Sequence, residues 1–588
     1  MKRHTHFTQV SKYILSRLAI IVVVTMSMSV GMTQATLDPI LKELMIEAET
    51  HSVCIKVAVS DIIKTESHLD KIEKGITVYN QLTKREEVRG LQTKAYLQEH
   101  NLEYRSFLIS PVIISTVSNT DIEALLSLNE VVAISHNETY MISSYLSVDN
   151  VVDTRDPEDP EWGIQQIEAD SVWSLGYRGQ DVVVAGQDTG YEWDNAALKT
   201  QYAGWDTDLQ LVNHNYRWHD AIHEINHLHN DSIIDANTNP CGLSLNSPCD
   251  DHNHGTHTMG TMVGLDSLYQ MGVAPEAQWI GCRNMDRGYG SLETYLDCFE
   301  WFLAPTRIDG TAPKPWLAPD VINNSWACPE MEGCNTANFS ILDEAVQNLT
   351  NAGIVVVASA GNTGDDCSTI VTPAAIFDMS LSVGATNEAD SLADFSSRGP
   401  ITVDSTYRMK PNVTAPGVNV RSCVRDGEYR VWSGTSMAGP HVAGAVALII
   451  SANPNLRGNV EAIFDILQST AVPLTLDDHC EEDQVPNNLY GYGRINVLKA
   501  VEKALVVSSI DEEISINNNL IITPNPATNL ITLEDYASTL LVTSTQGKLV
   551  GSYTYVNAVD VSGLPSGTYV LTAIDSKGQV QSGKFVKL

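Results

Sequence analysis

A serine set among small residues, Gly434-Thr435-Ser436-Met437-Ala438-Gly439-Pro440-His441, is followed at once by an apolar helical run from Val442 to Ile450. The pattern suits a nucleophile. Gly434 lets a substrate backbone come close, Ala438 and Gly439 let the helix start pack tightly, and Pro440 fits a first helical turn, where its missing N–H costs nothing. Free N–H groups at a helix N-terminus also favour an oxyanion developing beside the serine. By itself the stretch also reads as a plain helix cap, because Ser and Thr are ordinary caps. Three distant stretches supply what hydroxyl chemistry needs. Gly186-Gln187-Asp188-Thr189-Gly190 puts a carboxylate past an apolar run, His254-Gly255-Thr256-His257-Thr258-Met259-Gly260-Thr261 opens a helix with a histidine, and Ala360-Gly361-Asn362-Thr363-Gly364 presents an amide after another apolar run. Singly they read as a turn aspartate, a structural histidine and a loop asparagine. Together they give Ser436 a base (His254), an orienting carboxylate (Asp188) and an oxyanion donor (Asn362).

The elements that must carry these residues are short apolar runs alternating with helices: Val182–Ala185, Trp279–Cys282, Val321–Asn323, Ile354–Ser359 and Leu381–Val383. Strands of this kind, buried on both faces, predict a parallel sheet with helical crossovers, hence an α/β domain over about 155–505. Reactive residues collect at strand ends in such sheets. Ahead of it, 36–150 alternates β-like runs (Val53–Val59, Val112–Val117, Val131–Ser135) with helical patterns, which predicts a small ferredoxin-like α+β unit. Asp153 to Trp162 is proline-broken and reads as a linker. Residues 506–519 form a second linker, polar and Asn-rich. From Leu520 to Leu588 the pattern is all β, with a Gln546-Gly547 turn, and predicts a small sandwich.

Composition narrows the function classes. The 588-residue chain carries 72 Asp and Glu against 36 Lys and Arg, a formal charge of −36 that argues against nucleic acid as a partner. Met1 to Ala35 has basic residues ahead of an apolar stretch and a small residue at its end, as in a secretory signal peptide. Ten cysteines, nine of them between Cys241 and Cys480, fit an oxidising compartment. Cys241 with Cys249 and Cys328 with Cys334 are plausible pairs, and the odd central count leaves one thiol over.

The blocks around Asp188, His254, Asn362 and Ser436, in that order, resemble those of the subtilisin-like serine proteases. Gly281 to Asp286, Val321 to Trp326 and Phe395 to Pro400 are similar to the bacillopeptidase F-like branch. The resemblance implies that Asp188, His254 and Ser436 form a charge-relay triad, and that the Asn362 amide and the Ser436 N–H form the oxyanion hole. It further implies that Gly288, Tyr289 and Gly290 and Ser325, Trp326 and Ala327 lie along the substrate strand. Trp326 departs from the family's usual Ser-Leu-Gly-Gly, so specificity is not transferred. His257 and His441 are expected to pack structurally. The 36–150 unit resembles an inhibitory propeptide, with cleavage expected between about Glu138 and Glu161. The Pro524-Asn525-Pro526-Ala527 start, the Gly563-Leu564-Pro565-Ser566-Gly567-Thr568-Tyr569 segment and the basic end are similar to type IX secretion sorting domains. The expectation is a secreted, monomeric serine endopeptidase, extracellular or held at the outer-membrane surface. It would act on polypeptides with its own propeptide as inhibitor, and need no cofactor for its chemistry.

Three other readings compete. His223-Glu224-Ile225-Asn226-His227 matches H-E-x-x-H, which on a helix would turn two histidines to one side for zinc; an amphipathic helix without metal is the favoured outcome there. The pairs Asp250-Asp251 and Asp365-Asp366 are candidates for structural calcium, with solvated turns favoured because neither has the D-x-D spacing of a recognised loop. A catalytically silent surface or adhesion protein on the same scaffold would be expected to lack a triad residue, and none is missing.

Overall fold

The computed structural model describes residues 35–59, 63–137, 159–229, 231, 233–235, 237–476, 480, 484–507, 520, 522–544, 549–574 and 580–588. The expected leader up to residue 34, most of the expected cleavage region, the second linker from 508 and the Gln546-Gly547 turn lie outside them. The chain divides into two compact units, Met1–Val501 and Glu502–Leu588.

The larger unit is built on a seven-stranded parallel sheet. Its strands are β1 (Val183–Asp188), β2 (Trp218–Asp220), β3 (Gln278–Arg283), β4 (Val321–Asn324), β5 (Val355–Ser359), β6 (Leu381–Thr386) and β7 (Val413–Pro416), in the order β7-β6-β5-β4-β1-β3-β2. Five are the apolar runs expected from sequence. The edge strands β2 and β7 were not expected: Trp-His-Asp lacks a β-like run, and Val-Thr-Ala-Pro is short and ends in proline. The reversal of strand order around β1 puts the carboxyl ends of β1, β3 and β4 side by side, with Asp188 in register with Arg283 and Gly186 with Asn323.

Four helices matter for the site: α1 (His254–Val263), α2 (Leu292–Leu303), α3 (Phe339–Asn351) and α4 (Thr435–Ala452). Helix α4 is apolar on every side and packs on α1 and on β4 to β7, as a helix without a polar face must. Truncating its fully buried Leu448 to alanine would cost about 2–5 kcal/mol. Pro440 stands at the sixth position of α4, not in the first turn. It cannot donate to the carbonyl four residues back, that of Ser436, and the Ser325 hydroxyl donates to that oxygen at 2.9 Å instead.

The segment 35–137 forms its own sheet of Thr36–Leu37, Val131–His136, Thr50–Val57, Val112–Ser118 and Tyr104–Ser106, in that spatial order. Without the short first strand, this is the fourth-first-third-second order of a ferredoxin-like unit. It packs on α2 and α3: Val78, Leu82, Phe107 and Ile109 share one core with Phe299, Phe302, Ile341 and Val346. Polar contacts fix the register. Asn348 Nδ2 donates to Ile109 O (2.8 Å), Ser110 Oγ to Ile341 O (2.9 Å), and Arg105 pairs with Asp297 (2.6 Å). Glu300 accepts from the N–H groups of Leu108 and Ile109; burial pushes its carboxyl up to about 7 against the pull of those donors.

Disulfides join Cys241–Cys249 and Cys328–Cys334, as expected, and also Cys282–Cys298 and Cys367–Cys480; Cys54 and Cys423 are buried thiols. Beyond residue 507 the regular elements of the second unit are β-strands among the described residues. Leu530–Ser544 pairs with Ile522–Thr523, Leu549–Asp560 and Gly567–Ile574, and Val580–Lys587 completes one hydrogen-bonded network around Ile531, Leu540, Val559, Leu571 and Phe585.

Candidate active site

Asp188 closes β1 with its side chain buried. Its Oδ1 accepts from Thr189 N–H and from His254 Nδ1, both at 2.7 Å, and its Oδ2 accepts from Thr258 Oγ1 at 3.3 Å. His254 is the first residue of α1. Asp250 ties that helix start to the strand end, accepting from Thr189 Oγ1 (2.8 Å), His252 N (2.9 Å), Asn253 N (2.8 Å), Thr256 N (2.9 Å) and Thr256 Oγ1 (2.6 Å). The two segments meet so closely that a Cβ on Gly255 would lie 2.0 Å from Gly190 O and 3.1 Å from Asp188 Cβ. Glycine is the only residue that fits there.

Electrostatics suit a base. Burial depresses the His254 imidazole, but the charge and hydrogen bond of Asp188, aided by Asp250, outweigh it and hold the pKa above its ordinary value. His257 and His441, wholly buried, are pushed down to about 3 and about 4 by desolvation, so both stay neutral in packed surroundings. The Trp432 ring lies nearly parallel to both His254 (6.4 Å, 21°) and His257 (4.6 Å, 14°).

Ser436 sits in the first turn of α4. Its Oγ donates to Ser325 O at 3.2 Å, and the bond from a hydroxyl to its base often tightens only when substrate is bound. Asn362 follows β5. Its Oδ1 accepts from Thr435 N (2.8 Å) and Thr435 Oγ1 (2.9 Å), so the amide is clamped by the residue before Ser436 and its Nδ2 is left for another acceptor. The structure thus brings Asp188 and His254 into contact, and holds Ser436 and Asn362 together through Thr435.

The expected substrate-strand residues fall on two loops that leave the strands on either side of β1. After β3, Asp286 and Tyr289 exchange N–H···O bonds of 2.8 and 3.0 Å, and Gly288 takes a left-handed φ of 92° in the turn. After β4 come Ser325, Trp326 and Ala327. Trp326 is buried and stacks flat on Tyr295, so it forms a wall of the loop instead of projecting from it.

The His223-Glu224-x-x-His227 segment is not helical. Asp220 Oδ1 accepts from Ile222 N–H, Asn226 Oδ1 from Leu228 N–H, and Asn226 Nδ2 donates to Tyr289 O and Gly290 O, which replaces a helix ladder with side-chain-to-backbone bonds. The amphipathic helix expected there is absent, and the one-sided histidine pair that zinc would need is not built. His227 and Glu224 are exposed and 3.9 Å apart. The segment instead braces the 286–290 turn, His229 Nε2 lying 2.9 Å from Asp286 O. The carboxylates of Asp250 and Asp251 are taken up by protein donors, Asp251 by Arg283 (3.4 Å) and Arg287 N–H (2.9 Å). Asp365 and Asp366 are exposed. No group of three or more metal-ligating side chains occurs among the described residues.

Sequence reasoning missed Asp250 as the clamp of the helix start, Trp432 beside the imidazole, and Glu332, whose carboxylate reaches both Gly290 N–H (3.2 Å) and Tyr295 Oη (2.5 Å). Only pairing in space reveals Glu332; nothing in its local sequence marks it.

Residues 179–493 match the subtilase family, and residues 522–587 match the secretion system C-terminal sorting domain. The chain is 36% identical over 455 residues to bacillopeptidase F of Bacillus subtilis (strain 168), covering 72% of this chain and 29% of that protein. It is 32% identical over 344 residues to subtilisin of Bacillus pumilus, covering 58% of this chain and 98% of that protein, and 31% identical to subtilisin E of Bacillus subtilis (strain 168), covering 58% and 71%. The chain therefore spans under a third of the length of the bacillopeptidase and nearly all of the Bacillus pumilus subtilisin.

Proposed function

The chain belongs to the subtilase family, and from that premise we propose that it is a secreted serine endopeptidase in which Ser436 attacks, His254 serves as base and acid, and Asp188 orients and stabilises the imidazolium. The observation that carries this reading is the 2.7 Å bond from His254 Nδ1 to Asp188. With its proton on Nδ1, the imidazole leaves Nε2 free to take the Ser436 proton once a bound peptide turns the hydroxyl from Ser325 O. Attack gives a tetrahedral oxyanion, to which the Asn362 Nδ2 and the Ser436 N–H at the α4 start would donate. Collapse passes the proton from His254 to the leaving amine, and water then hydrolyses the acyl-enzyme by the same route. No metal-assisted step enters this scheme; structural calcium is a separate question of stability.

The C-terminal sorting domain directs the protein out of the cell, into the medium or onto the outer-membrane surface. We read 36–150 as an inhibitory propeptide, 155–505 as the catalytic domain and 520–588 as the sorting domain engaged by type IX machinery, with the mature enzyme a monomer. Docking of the N-terminal unit on α2 and α3 supports the first of these. Mass spectrometry of mature termini and cleavage products, from wild type and Ser436→Ala, tests the scheme. Wild type should lose the N-terminal unit by a cut between about Glu138 and Glu161 and should digest added protein, whereas Ser436→Ala should do neither. Trimming of purified Ser436→Ala at that place would refute self-processing, and retained digestion would refute the nucleophile.

A further inference from the structure

We propose that Glu332 is a positioning residue for substrate, tying the loop after β3 to the loop after β4 and so fixing the groove along which an extended peptide reaches Ser436; the inference rests on the active-site reading above. The two loops leave β3 and β4, the neighbours of β1, and β1 ends in Asp188. One loop touches the nucleophile directly, since Ser325 accepts from Ser436 Oγ and donates to Ser436 O. The other carries Gly288, Tyr289 and Gly290. Glu332 spans them. One carboxylate oxygen accepts from Gly290 N–H at 3.2 Å, and the other accepts from Tyr295 Oη at 2.5 Å. The Tyr295 ring lies flat on Trp326, with centroids 3.9 Å apart and planes 8° apart, so the phenol relays the tie to the residue that follows Ser325. A Cβ on Gly290 would stand 2.3 Å from Tyr295 Oη, which shows how closely the first loop is drawn to the phenol. Glu332 itself sits inside the short loop closed by the Cys328–Cys334 disulfide, which limits where its carboxylate can go.

Packing alone does not explain a glutamate at this place. It is buried, and no basic side chain forms an ion pair with it among the described residues. Desolvation without a cation raises its carboxyl to about 7, with the Tyr295 and Gly290 donors acting against the rise. A buried acid without a cation is costly, and an apolar residue of similar volume would fill the space at lower cost. What glutamate adds, from its own place on the loop after β4, is two directed acceptors, one for the Gly290 N–H of the loop after β3 and one for the Tyr295 phenol of α2.

The secreted enzyme and its variants, assayed on a hexapeptide and a dipeptide p-nitroanilide with the same residue at the cut, test this. Glu332→Ala should raise KM for the hexapeptide about tenfold, more than it lowers kcat, with a smaller rise for the dipeptide. Glu332→Gln should recover most of the loss, because its amide oxygen can accept from Gly290 N–H and its NH2 can donate to Tyr295 Oη. Tyr295→Phe, which keeps the stack and removes one tie, should fall between them. The proposal is overturned if both substrates lose equally, if the loss lies in kcat alone, or if Glu332→Gln behaves as Glu332→Ala. A Glu332→Ala protein that fails to fold leaves the decision to Glu332→Gln and Tyr295→Phe, which must then differ in hexapeptide KM. Undiminished hydrolysis by Ser436→Ala would instead remove the active-site reading, a pattern distinct from the others.

Discussion

Asp188→Asn should harm turnover far less than Asp188→Ala. Asp188 Oδ1 accepts from both His254 Nδ1 and Thr189 N–H, while Oδ2 faces Thr258 Oγ1. Only an oxygen can answer the Thr189 N–H, so in Asp188→Asn the side-chain carbonyl is held at the Oδ1 position and the NH2 falls beside Thr258. Thr258 can accept that proton, because its own hydroxyl has Gly255 O to donate to at 3.0 Å. His254 then keeps its proton on Nδ1 and its Nε2 free. What is lost is charge. A hydrogen bond to a charged group contributes roughly 1.5–3 kcal/mol against about 1 for a neutral pair, so Asp188→Asn should lower kcat/KM by up to about 30-fold. Asp188→Ala also frees the ring to rotate, a loss on the order of 10⁴ when the corresponding aspartate of subtilisin is removed. The sign of the pH effect follows from the same pair. His254 must be neutral to act as base, so activity falls as pH drops through its pKa. Asp188 holds that pKa above the ordinary value, and the acid limb of wild type should lie above about 6.5 and move down in Asp188→Asn. Profiles of kcat/KM against pH for the three proteins decide it. An asparagine variant as poor as the alanine variant, or an acid limb that does not move down, would mean that Asp188 does not orient and charge-stabilise His254 in this way.

Asn362→Ala should lower kcat by about 10²–10³ with little change in KM, the magnitude known for the oxyanion amide of subtilisin itself, and steady-state kinetics on a chromogenic peptide would show it. Gly255→Ala forces a Cβ against Gly190 O and Asp188 Cβ, neither of which can yield, and should cost about 1–3 kcal/mol in a denaturant titration while disrupting the Asp188–His254 pair. In the Ser436→Ala background, Arg105→Ala should quicken amide exchange at Leu108 and Ile109 by about tenfold; the pair is partly exposed, so only a modest share of a buried ion pair is expected. Exchange there should also quicken with alkalinity. The Glu300 carboxyl is raised in the docked state, so the stability it contributes is fully present at acid pH below about 4.5 and is lost as pH rises through about 7.

Much of this was legible in sequence, for physical reasons. The five inner strands each carry a short apolar run because the sheet is covered on both faces, and glycines mark places such as Gly255 where backbones touch. The misreadings arose where long-range contacts overrode local rules. Pro440 reads as a first-turn residue until Ser325 supplies the donor that lets it stand deeper in α4. His223 to His227 reads as a helix until Asn226 is seen to spend its amide on Tyr289 and Gly290. The docking of the N-terminal unit had a signal that was not used: α2 buries Leu292, Tyr295, Leu296, Phe299, Trp301, Phe302 and Leu303, too much of its circumference for one sheet to cover. The pairings Cys282–Cys298 and Cys367–Cys480, like the tie through Glu332, depend on which loops meet, and sequence spacing does not carry that.

Whether Ser436 is the nucleophile is read most directly from the mass of the enzyme after reaction with a fluorophosphonate, mapped to a peptide. One adduct per chain should form on the peptide bearing Ser436, in step with loss of protease activity, slowed in His254→Ala and absent in Ser436→Ala. Inactivation with the adduct on another residue, or full activity in the Ser436→Ala protein, would contradict that role.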